Sequence, residues 1–198
     1  MSDPVSVLDY WLNTVGPEGW YKGGEDLDDD VRARWQDLWE AAERGGLDHW
    51  IEGPVGSLAF IILTDQFPRN MFRGQAKCFA TDAHARAAAR QAIDAGWDLE
   101  VPEPERQFFY LPFEHSEDAA DQALSVQLFA ERLPSEADNL HHARVHAEVI
   151  RRYGRFPTRN AALSRVNRPD EQTYLEEGGY VALVTAMRAP PGPDAPQD

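Results

Sequence analysis

The sequence predicts an all-α protein, and three observations carry that expectation. Apolar residues recur at helical spacing in successive segments, and no stretch of four or more residues alternates apolar and polar with β-branched enrichment. Pro, Gly, Ser, Thr and Asp stand where helices start and stop. The 198 residues, 42% of them hydrophobic, suffice for one domain whose core needs no disulfide or metal staple. Residues 1–188 are read as that single domain, and the Pro-rich run 189–198 as a disordered tail with nothing to bury.

Asp3-Pro4 pairs an N-cap with Pro at the first helical position, and Val7, Leu8, Trp11 and Leu12 then define a short first helix. Residues 16–24, with Pro17, Gly19 and Gly23, read as a loop in which Trp20 and Tyr21 need something to pack on. From Leu27 to Arg44 the set Val31, Trp35, Leu38, Trp39 and Ala42 marks one helical face. Asp28, Asp29 and Asp30 sit at the favourable end of that helix's dipole, and Gly45-Gly46 stops it.

Pro54 opens a segment in which Leu58, Phe60, Ile61, Ile62 and Leu63 are apolar nearly all round, the mark of a buried helix, expected to end at Phe67-Pro68. Thr81-Asp82 caps an alanine-rich helix running to Ala95 and closed by Gly96. Another helix is expected from Glu105 to Glu114, kinked or ended by Pro112. Ser116 caps a helix from Glu117 to Leu133, and the next runs from Glu136 to Tyr153 and stops at Gly154. A short helix from Glu171 to Glu177 precedes Gly178-Gly179.

Charge narrows the function classes. Nineteen Lys and Arg against 34 Asp and Glu give a formal net charge of −15, which opposes phosphate backbones and excludes general nucleic-acid binding. No apolar run approaches the roughly 18–20 residues of a membrane span, and the start of the chain lacks a secretory pattern. A single cysteine, Cys78, cannot form an internal disulfide. A cytoplasmic protein without a membrane partner is therefore expected. P-loop, GxGxxG, GxSxG and CxxC zinc patterns do not occur, so neither a cofactor nor a metal is assigned.

Three constellations could carry chemistry. The first lies on an internal echo: Asp65-Gln66-Phe67-Pro68-Arg69-Asn70 and Gly154-Arg155-Phe156-Pro157-Thr158-Arg159-Asn160 both follow an apolar helix and read as equivalent helix-end corners. Arg69, Arg73, Arg155 and Arg159 on these corners would concentrate positive charge for an anion if the corners met; alternatively each neutralises a helix end or pairs with a nearby carboxylate. The second is Glu114-His115-Ser116-Glu117-Asp118, either a proton-transfer site or a capping segment. In the third, His142 and His146 stand four residues apart, a spacing open to two metal ligands but equally to solvent-facing or capping histidines.

Leu63 to Asn70, Tyr110 to Asp118 and His146 to Asn160, with the opening Val7 to Trp11 and the later Trp20-Tyr21, resemble in order and spacing the bacterial family called domain of unknown function 924. The resemblance implies stacked antiparallel helix pairs in an array similar to tetratricopeptide proteins. It also implies that Asp65, Gln66, Arg69, Asn70, Arg73, His115, Ser116, Glu117, His146, Arg155, Arg159 and Asn160 belong to the family's polar motifs. Thr158 stands where the family pattern is expected to carry His.

Two functional readings follow. In the first, a small anionic molecule is held by Arg69, Arg73, Arg155 and Arg159, oriented by Asn70 and Asn160, while His115 or His146, tuned by Glu117 or Asp65, moves a proton. In the second, a helical interaction module holds a protein or peptide partner, and the polar motifs form a structural network.

Overall fold

The computed structural model describes residues 3–188, so the expected tail at 189–198 lies outside the described residues. The fold is all-α, and no strand occurs among the described residues. Its α-helices are α1 (Pro4–Leu8), α2 (Glu25–Glu43), α3 (Pro54–Ile61), α4 (Phe67–Met71), α5 (Asp82–Asp94), α6 (Leu111–Glu114), α7 (Ala119–Arg132), α8 (Ala137–Tyr153), α9 (Pro169–Glu176) and α10 (Gly179–Arg188). Short π and 3-10 turns join several of them. The chain divides into two compact units between His115 and Ser116.

The first unit is organised around aromatic residues. Phe67, fully buried, has the rings of Tyr10, Trp11 and Trp35 at centroid distances of 6.0, 5.3 and 5.7 Å. The loop after the first helix packs as its tryptophan required: Trp20 Nε1 donates to the Trp11 carbonyl at 2.8 Å, and its ring meets Phe108 at 4.9 Å. Gly56 in α3 is needed for close approach, since a Cβ there would lie 2.0 Å from the Trp50 carbonyl oxygen.

The segment after α3 differs from expectation. The helix does not end at Phe67-Pro68; it widens into a π-turn over Ile62–Gln66 and continues as α4, with Phe67 helical at φ −59 and ψ −40. Proline removes a donor and crowds the carbonyl four residues before it. The wider turn meets both demands. The Phe67 N–H reaches back five residues to the Ile62 carbonyl, and the Thr64 carbonyl accepts the Thr81 hydroxyl at 2.6 Å. Thr81 therefore does not cap α5 with its side chain; its oxygen also accepts Trp39 Nε1 at 2.9 Å, tying α2 to the π-turn.

The expected helix from Glu105 to Glu114 is a 3-10 turn over Glu105–Phe109 followed by α6, the seam falling beside Pro112. Its Tyr110 hydroxyl donates to buried Asp98 at 2.7 Å.

In the second unit Asp118, not Ser116, caps α7, accepting the N–H groups of Ala120 and Asp121; Ser116 instead donates its hydroxyl to Asp121 at 2.8 Å. Helix α8 ends where Gly154 takes the left-handed conformation at φ 66. Helix α10, which the sequence reading leaves unassigned, places Leu183 in a cluster with Val145, Val149, Ile150, Phe156 and Tyr174. Phe156 is extended at ψ 106, as its following proline demands. The two Phe-Pro junctions are therefore not equivalent. One is carried through a helix by a π-turn, and the other breaks the chain out of it.

Replacing Thr81 by Val would leave the buried Trp39 indole N–H without its partner and take the hydroxyl donor from the Thr64 carbonyl. The expected cost is about 1–3 kcal/mol in urea unfolding, and an unchanged unfolding midpoint would contradict the role given to this hydroxyl.

Candidate functional site

The π-turn presents Asp65, whose carboxylate is entirely removed from solvent. His115, following the last turn of α6, places Nδ1 at 2.9 and 3.0 Å from the two carboxylate oxygens. Gln66 Nε2 donates to Asp65 Oδ2 at 2.5 Å. Arg69, one turn further on, sets Nη1 3.3 Å from Asp65 Oδ1 and 3.0 Å from Asp82 Oδ1 at the start of α5, and also donates to the Asp65 carbonyl. Arg69 Nη2 is buried and has no hydrogen-bond partner among the described residues. The Arg69 and His115 side chains remain 20% and 16% exposed, so the cluster reaches the surface through the arginine and the imidazole.

Burial pushes the Asp65 carboxyl up, but the charges of Arg69 and His115, with hydrogen bonds from His115 and Gln66, outweigh it and bring it down to about 2. For His115, burial and the neighbouring Arg69 cation lower the imidazole below its ordinary value, against the opposing pull of Asp65. A neutral ring facing a carboxylate through Nδ1 carries its proton on Nδ1 and its lone pair on Nε2.

Asn70 and Arg73 converge on a different carboxylate. Asp28 of α2 accepts Asn70 Nδ2 at 2.8 Å and both Nε and Nη2 of Arg73, at 2.7 and 2.9 Å. Burial raises the Asp28 carboxyl, yet the hydrogen bonds and charge of Arg73 and the amide of Asn70 hold it below the ordinary range.

In the second unit, Arg155 grips buried Glu171 with Nε at 2.6 Å and Nη2 at 2.7 Å, while Arg168 adds Nη2 at 2.8 Å. Asn160 Nδ2 reaches the same carboxylate at 3.1 Å and Asn167 at 2.9 Å. Hydrogen bonds from Arg155, with those of the Arg168 backbone and side chain, hold the Glu171 carboxyl far below its ordinary value in spite of burial. Arg159 lies over the Phe156 ring at 4.5 Å. Glu117 accepts the Phe156 N–H at 2.9 Å and both Nη atoms of Arg165 at 2.9 Å.

His146 sits against Tyr180 of α10. Its Nδ1 lies 2.9 Å from the His142 carbonyl and 3.2 Å from the Tyr180 hydroxyl, which is in turn 2.7 Å from His142 Nδ1. No group of three or more residues suited to a metal ion occurs among the described residues.

The structure thus gathers Asp65, Arg69 and His115 in one cluster, Asn70 and Arg73 in a second, and Arg155 and Asn160 in a third. The carboxylates at the centre of the last two, Asp28 and Glu171, escaped the sequence reading as site residues, as did Asp82 and Tyr180. Each has a partner more than ten residues away, which short-range periodicity does not reveal, although Glu171 also binds Arg168 three residues before it. Replacing Glu171 with Ala removes the acceptor shared by Arg155, Arg168 and Asn160, and the expected loss is about 1–3 kcal/mol in urea unfolding. A loss below about 1 kcal/mol would show that this network does not hold the second unit together.

A family model described as bacterial protein of unknown function (DUF924) matches residues 7–179. The solved structure of a protein of unknown function from Agrobacterium tumefaciens is similar to this chain at 44% sequence identity and a TM-score of 0.83, covering 88% of this chain and 97% of that one. No curated protein matches. The match takes in every polar cluster described above, with only Tyr180 of α10 beyond its end, and it shows the family directly: the chain belongs to the bacterial family of unknown function DUF924.

Proposed function

We propose that the first unit carries a small-molecule site in which Asp65 orients His115 as a proton acceptor and Arg69 holds an anionic group. The observation that supports this reading is the imidazole Nδ1 seated on both oxygens of a buried carboxylate, beside a guanidinium with an uncommitted nitrogen. The arrangement is that of an oriented base: a positioning carboxylate fixes the tautomer, and Nε2 then carries the basic lone pair. Arg69 serves twice. It keeps Asp65 ionised and His115 neutral, and its partly exposed side chain offers positive charge to a carboxylate or phosphate.

The other candidates are less suited to the work. Arg73 and Arg155 spend their forks on Asp28 and Glu171, Glu117 is held by Arg165, and His146 is bonded through Nδ1 within the α8–α10 contact. His115 is accordingly the proton acceptor in this reading, and Arg69 the anion-binding group.

Inorganic phosphate and citrate serve as probes in thermal-shift measurements. Either should raise the melting temperature of the protein, and Arg69→Lys, which keeps the charge but loses the fork, should weaken the effect while helicity by circular dichroism is retained. No stabilisation by either probe, or an equal response from Arg69→Lys, contradicts the proposal.

The pH dependence has a defined sign. Because His115 titrates lower in the folded protein than the unfolded value of about 6.5, the unfolded chain takes up the proton first as pH falls. Its contribution is complete above pH about 6.5 and is lost progressively below it. Asp65, also lowered, adds stability that is present above about pH 4 and fades as pH falls further. Urea unfolding at pH 7.5 and 5.5 should show a larger acid loss for the unsubstituted protein than for His115→Gln; equal losses would contradict the assignment.

A further inference from the structure

The first unit holds a second concavity that shares no lining residue with the Asp65 cluster. It is a groove of about 330 Å³ between the start of the chain and the segment before α6. Leu8, Leu12, Val101 and Pro102 supply apolar walls, and Asp9 and Glu105 supply carboxylates. Asp9, Leu12 and Asn13 belong to the π-turn Asp9–Val15 that continues α1, a widened geometry that recurs at functional sites.

No cation is among the described residues that line this groove. Glu105 Oε2 is closed off from solvent and receives no hydrogen bond among the described residues. The adjacent cation, Arg106, is turned to the Val101 carbonyl at 2.9 Å and to Glu103 at 3.7 Å. Asp9 is exposed and, among the described residues, receives only the Asn13 amide, at 3.0 Å. A desolvated carboxylate oxygen without a donor is costly, and an ammonium group with three N–H donors relieves that cost while adding charge complementarity.

We propose that this groove binds a small alkylammonium, its cationic head on Glu105 and Asp9 and its chain along Leu8, Leu12, Val101 and Pro102. The size argues for a free amine of few heavy atoms, since the volume stands at the low end of the roughly 300–1,000 Å³ of small-molecule sites. This site is independent of the Asp65 cluster, and its failure would leave that reading untouched.

The test is an amide-resolved NMR titration with three probes: n-butylammonium chloride, n-butanol and N-acetyl-lysine-N-methylamide. We expect n-butylammonium to shift the amides of Leu12, Asn13 and Val101, and n-butanol to leave them in place. Glu105→Gln should weaken n-butylammonium binding by about tenfold, which is about 1.4 kcal/mol. Asp9→Asn, a change at an exposed position that cannot unfold a buried core, should weaken it as well. Absence of shifts with n-butylammonium, equal shifts with n-butanol, or unchanged affinity in both variants would overturn the proposal. Tighter binding of the lysine derivative would overturn the assignment to a free amine in favour of a protein side chain.

Discussion

A carboxylate sealed from water must be compensated on the spot, and Asp65 sets that condition for the first unit. Water offers it nothing, so its charge is tolerable only because His115, Gln66 and Arg69 all donate to it or face it. Those three groups come from the π-turn, the helix that continues it and the end of α6, so satisfying one anion fixes three elements against each other. Arg69 adds a fourth through Asp82 at the head of α5. Removing the anion would not merely delete a contact; it would leave the Arg69 guanidinium with Asp82 as its remaining counter-charge.

The π-turn is what lets this happen in a helix containing proline. An α-helical Ile62–Gln66 would place the Pro68 ring against the Thr64 carbonyl, and the helix would kink or stop. Widening by one residue frees that carbonyl for the Thr81 hydroxyl. The same device recurs at Asp9–Val15, beside the groove assigned above to an alkylammonium. Both irregular turns carry an aspartate, one buried and compensated, the other open to solvent.

Much of the helical plan was legible because it is local. The Ala-rich face of α5, the Trp35-Trp39 stripe of α2 and the stop at Gly154 are written in short-range periodicity and left-handed glycine chemistry. Three features were not. The passage of the helix through Phe67-Pro68 depends on a hydroxyl supplied by Thr81, far along the chain. Asp118 outcompeted Ser116 as the α7 cap because Ser116 is drawn to Asp121. Helix α10 went unassigned, since its register is defined by docking on α8 through Leu183 and by Tyr180 between two histidines. For the site, the arginines, His115 and Asp65 were legible as a set of unusual polar residues. Which arginine faced which carboxylate was not, because Asp28, Asp82 and Glu171 are long-range partners.

The central interaction is the Nδ1 proton of His115 pointing at Asp65. Long-range ¹H–¹⁵N NMR of the imidazoles, with His115 assigned by the spectrum of His115→Gln, reads the tautomer directly. The expected result at pH 7 is a neutral ring protonated on Nδ1, and Asp65→Asn should erase that preference. An Nε2-protonated ring, or an imidazolium at pH 7, would contradict the account.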